Sequence, residues 1–91
     1  MKWLEVIRLR SGGNHHGWLE ELLRSMSPSG SSGLLRMKTY RHAALETDLS
    51  IHLHWESERP AHDGSALGLR LAQTFKEYGM ADHSVWVEVE R

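Results

Sequence analysis

Hydrophobic and polar residues alternate along Thr47–Ser57, TDLSIHLHWES, and this pattern predicts a strand. Extended backbone sends successive side chains to opposite faces, so Leu49, Ile51, Leu53 and Trp55 share one face. Ser50, His52, His54 and Glu56 share the other, which therefore carries two imidazoles and a carboxylate. Lys2–Arg10, KWLEVIRLR, predicts another strand, with Trp3, Ile7 and Leu9 on one side and Leu4 and Val6 on the other. Apolar residues on both sides mark it as an inner strand covered on both faces.

The remaining pattern fills in around these two strands. Ser11-Gly12-Gly13 breaks the first, and Asn14 is a suitable N-cap. Trp18, Leu19, Leu22, Leu23 and Met26 then recur at helical spacing, predicting an amphipathic helix with Glu20, Glu21 and Arg24 outside. The glycine turn has neither a Walker lysine nor a full GxGxxG, so it reads as a turn rather than a phosphate cradle. Ser27–Gly33 reads as a surface loop. Leu34–His42 follows as a strand, with Leu35, Met37 and Thr39 toward the core and Arg36, Lys38, Tyr40 and His42 on the opposite face.

Pro60 ends strand character in the loop Glu58–Gly64. Ser65, or Asp63 before it, caps a second helix running to about Tyr78, with Leu67, Leu71, Phe75 and Tyr78 as its stripe and Gly79 as its stop. His83–Glu90 reads as the last strand, Val85, Val87 and Val89 alternating with Trp86, Glu88 and Glu90.

The order is β-α-β-β-α-β, which predicts one α+β domain over residues 1–91 of the ferredoxin-like type. Its four-stranded, antiparallel-rich sheet has the order 4-1-3-2 and carries both helices on one face. The helix-free face would hold Arg36, Lys38, Tyr40, His42, His52, His54, Trp86 and Glu88. Left open, it would expose Trp86 together with apolar residues of the first strand, whose register the pattern leaves open, so the chain is expected to form a homodimer through the sheet.

Composition narrows the classes of function. The chain contains no cysteine, which excludes disulfides, thiolate metal sites and thiol nucleophiles. Its apolar runs are far shorter than the roughly 20 residues of a membrane span, and strand-like sequence from Lys2 leaves no room for a secretory leader. No membrane association and a cytoplasmic location are the expectations. Eleven basic and twelve acidic side chains give a net charge of −1, unlike a general nucleic-acid binder. An RNA-recognition sheet would share the strand order, but the chain lacks the Lys/Arg-Gly-aromatic pattern of such a surface, so no nucleic acid is expected. Seven histidines make charge depend strongly on pH near 6.5.

The candidate chemistry lies on the helix-free face. His52-x-His54 places two imidazoles on one side of a strand about 7 Å apart, two rises of roughly 3.3 Å. That spacing suits two ligands of a divalent metal, with His42 or Glu56 as a third. The preferred reading is two polar residues lining a cavity or dimer contact, with no metal assigned. Tyr40, His52 and His54 are the candidate catalytic residues, with an imidazole as acid or base near neutral pH. Arg36, Lys38, His42 and Trp86 are the candidate ligand-binding residues for an anionic or phenolic small molecule. The competing reading of Arg36 and Lys38 is ion pairing with Glu88 and Glu90. His15 and His16 diverge in direction and read as surface residues, while His62 and His83 fall at element ends. No particular cofactor is implied.

The element order, the length and the tryptophan closing the third strand resemble the dimeric α+β barrel superfamily, and within it the antibiotic-biosynthesis-monooxygenase-like group. Trp55 stands at the tryptophan of that group's Glu-x-Trp, with Leu53 at its glutamate and His62 as the following histidine. The resemblance implies a homodimer with a small-molecule site on the sheet face and a cofactor-independent, monooxygenase-like activity. A non-catalytic ligand-binding or regulatory module of the same topology is the alternative.

Overall fold

In the computed structural model, residues 1–10, 21–22, 24, 33–45 and 47–89 are described. Four strands, β1 (Lys2–Arg10), β2 (Leu34–Arg41), β3 (Asp48–Glu56) and β4 (Met80–Val87), form one sheet in the order β2-β3-β1-β4. Every adjacent pair is antiparallel. The two strands richest in apolar residues are thus the inner pair. One helix can be bounded among the described residues, α1 (Ala66–Phe75), where the pattern predicts two; Glu21, Leu22 and Arg24 are also helical. The other expected helix, from Asn14 to Met26, lies outside the described residues except for Glu21, Leu22 and Arg24, of which Leu22 packs against the core.

Alternation decides which side chains form that core. Trp3, Ile7 and Leu9 of β1 and Leu49, Ile51, Leu53 and Trp55 of β3 are buried together with Leu71, Ala72 and Phe75 of α1. The cross-strand pair Trp3 and Trp55 stacks with centroids 5.3 Å apart and planes 12° from parallel. Offset stacking of this kind adds about 1 kcal/mol to the burial of the rings. Trp3 Nε1 also donates to Ser57 Oγ at 2.9 Å, so its polar edge is satisfied where the ring is covered.

Several boundaries and faces depart from the pattern. A bulge between Leu34 and Arg36 places Leu34 opposite Trp55, so Leu34 packs on the core and Leu35 is exposed. The bulge inserts one residue and reverses the parity of the strand's first residues. Helix α1 ends at Phe75 rather than Tyr78, and Tyr78 is exposed. Its buried face is Gly68, Leu71, Ala72 and Phe75, with Leu67 half-buried beside it. Strand β4 begins at Met80, three residues before the expected start, because its pairing with β1 continues from Trp3↔Val87 to Arg10↔Met80. His83 therefore lies within a strand and not at an element end. Ser65 is the helix N-cap, its hydroxyl accepting from Gly68 N–H at 2.9 Å. No helix among the described residues is long and apolar enough to cross a membrane.

Candidate functional site

Strand register sets out the sheet face opposite α1, which carries no helix among the described residues, as a grid. One row is Arg36, His54, Leu4 and Trp86; the next is Lys38, His52, Val6 and Ser84; the third is Tyr40, Ser50, Arg8 and Asp82. The candidate residues from β2 and β3 thus share a face, as the alternation predicts, with β1 separating them from Trp86. Tyr40 tilts against His52, ring centroids 4.5 Å apart at 49°, and Ser50 Oγ lies 3.3 Å from His52 Nε2. Arg8 Nε donates to Asp82 Oδ2 at 3.0 Å across β1 and β4.

His54 is half-buried, and its Nε2 is enclosed with no hydrogen-bond partner among the described residues. It lines a cleft of about 320 Å³ with Leu4 and Trp86. Trp86 is 60% exposed, an unusual amount for so large an apolar ring. A larger cavity of about 480 Å³ at the Arg10 end of the sheet is lined by Tyr40, His42, Ser50 and Arg8. The expected residues therefore divide between two openings: His54 and Trp86 at one, Tyr40 and His42 at the other, with His52 between them against Tyr40.

The environment disfavours the charged form of both strand histidines. Burial lowers the pKa of His52 below the usual imidazole value. Burial also lowers that of His54, aided by Arg36, by His52 whenever it is protonated, and by Lys38. A neutral imidazole can accept a proton or a hydrogen bond at its bare nitrogen. His42 is committed differently: just beyond β2, its Nδ1 accepts from the backbone N–H groups of Ala44 at 3.0 Å and Leu45 at 3.1 Å. That fixes the β2–β3 turn. Glu56 is exposed at the far end of β3, away from His42. Among the described residues no group of three His, Asp or Glu side chains comes together to hold a metal ion. His62 is an exposed loop residue, and His15 and His16 lie outside the described residues.

On the opposite face, under the helix, the fold builds a polar cluster absent from the sequence reading. Glu5 points from β1 into the core and is completely buried. Its Oε1 accepts from Trp55 Nε1 at 3.1 Å and from Ser65 Oγ at 2.6 Å. Its Oε2 accepts from Ser65 N–H at 2.9 Å and lies 2.6 Å from His83 Nε2. A carboxylate withdrawn from water needs such compensation, and the first turn of α1 adds its own favourable field. Two glycines make room. A Cβ on Gly68 would stand 1.8 Å from Glu5 Oε2, and one on Gly64, whose φ is +103°, would stand 2.1 Å from His83 Cε1. One signal was available in the sequence: Glu5 has the parity of Trp3, Ile7 and Leu9.

Fold and site together define a small α+β domain with an antiparallel sheet, an imidazole-bearing face opposite its described helix and a buried carboxylate beneath that helix. No protein-family model matches the chain, and no curated protein or solved structure matches it either.

Proposed function

We propose that the chain is a ferredoxin-like α+β protein that dimerises through its helix-free sheet face and binds a small anionic or phenolic molecule there. The reading rests on one observation: Trp86, with its exposed ring, and His54, whose enclosed Nε2 has no partner among the described residues, line the same cleft. A buried acceptor or donor without a partner costs about 1–3 kcal/mol, which a ligand group seated against it would recover. A second copy is the occupant that covers the rest of the face. A two-fold axis parallel to the strands sets β2 of one copy over β4 of its partner, bringing basic Arg36 and Lys38 toward the edge that carries Asp82 and Glu88. It also sets the Arg36 side of the grid over Trp86, a cation–π arrangement.

Within such a dimer, His52 and His54 act as neutral proton acceptors, Tyr40 as the phenolic donor beside His52, and Arg36 and Lys38 as the anion-attracting flank. A cofactor-independent, monooxygenase-like enzyme uses this set to deprotonate a phenolic substrate; a non-catalytic binding module uses it for recognition alone. Native mass spectrometry of the untagged protein tests the assembly. A species of twice the 10.4 kDa chain mass is expected, with any retained small molecule visible as added mass. A monomer across the micromolar range overturns the reading. Consumption of an added phenol then separates enzyme from binding module.

A further inference from the structure

The cluster around Glu5 is more elaborate than a structural anchor requires. Trp55 N–H, Ser65 N–H and Ser65 O–H already give the buried carboxylate three donors, joining β3 and the start of α1 to β1. The fourth partner, His83, comes from the edge strand β4, and its side chain keeps 16% of its surface exposed while Glu5 keeps none. Only Nε2 is engaged. The described residues offer Nδ1 no hydrogen bond. Gly64 and Gly68 keep backbone and helix clear of both members of the pair.

We infer that Glu5 and His83 form a second, acid–base site on the helix side of the sheet, for a ligand carrying a weakly acidic O–H or N–H. Glu5 is the positioning residue. With its carboxylate ionised, Nε2 must carry the proton it donates to Oε2, which leaves the lone pair on Nδ1 as the acceptor. When the ligand proton moves to Nδ1, its electron pair stays on the ligand oxygen or nitrogen, and the resulting imidazolium lies against the Glu5 carboxylate. The Nε2–H hydrogen bond to Glu5 Oε2 at 2.6 Å is kept through the transfer, so no group has to move. This site is separate from the sheet-face cleft, since the alternation of β4 sends His83 and Trp86 to opposite faces.

Two measurements on the full chain test the inference. Long-range ¹⁵N–¹H spectra at alkaline pH should show His83 with its proton on Nε2 and a bare Nδ1. Diethyl pyrocarbonate, which acylates an accessible unprotonated imidazole nitrogen, should then place its adduct on Nδ1 of His83 in the folded protein. In a Glu5→Ala variant the preference for one nitrogen is lost and adducts appear on both. A proton found on Nδ1 in the unaltered protein overturns the inference. So does a His83 that resists the reagent until the chain is unfolded, which would leave Glu5 a structural anchor. Both of those outcomes are read on the unaltered chain, so the test survives a variant that does not fold.

Discussion

His83 Nε2 and Glu5 Oε2 lie 2.6 Å apart although 78 residues separate them in the chain. The pair bridges β4 to β1 directly beneath the N-cap of α1, and Ser65 contacts the same carboxylate through both its N–H and its hydroxyl. One side chain therefore ties together both inner strands, one edge strand and the helix start.

Replacing Glu5 with glutamine keeps the shape but turns an amide N–H₂ toward donors. At least one of the Trp55, Ser65 and His83 groups is then left facing a donor in a buried site. Loss of a buried acceptor of this kind costs about 2 kcal/mol. Urea unfolding of Glu5→Gln should show its midpoint lowered accordingly, with an unchanged slope. An unchanged midpoint would mean that the cluster contributes nothing to stability.

Gly68→Ala gives a sign opposite to the usual one. In an exposed helix interior, alanine in place of glycine gains about 1 kcal/mol. Here the new Cβ would meet Glu5 Oε2 at 1.8 Å, and three donors together with His83 Nε2 hold that oxygen's carboxylate in place. Overpacking of this order costs about 1–3 kcal/mol. The variant should melt below the unaltered protein; a rise in melting temperature would show that the carboxylate yields freely.

The strand histidines set a pH dependence of known sign. Both bind protons less readily in the folded chain than in the unfolded one. The unfolded state therefore carries more protons as pH falls below about 6.5, and stability declines through that range down to the folded values. The contribution is fully present above about pH 6.5. Unfolding midpoints at neutral and mildly acidic pH should fall more steeply for the unaltered chain than for a His52→Gln, His54→Gln double variant. Parallel curves would remove these two residues from the account.

Val6 tests the proposed assembly without touching the core. It sits in the middle row of the helix-free face, half-buried between His52 and Ser84. Val6→Glu brings two carboxylates together across a two-fold contact, so light scattering should report a monomer while circular dichroism is preserved. A dimer that persists would place the interface elsewhere.

Alternation alone determined the two inner strands, the faces of β1 and β3, and the company of Arg36, Lys38 and Tyr40 with His52 and His54. Those features are local, because backbone pleating fixes the direction of each side chain from its parity. The helix start was legible to within two residues, at Ser65 or Asp63, for the same reason, and the structure settles it at Ser65. Tertiary structure decided the rest. The bulge that exchanges Leu34 for Leu35 depends on how β2 meets β3, and the early start of β4 depends on the length of β1 available for pairing. Parity placed Glu5 on the buried side, but only the convergence of Trp55, Ser65 and His83 from distant parts of the chain explains how a carboxylate is held there. Those partners lie 50, 60 and 78 residues away, beyond the reach of any local pattern.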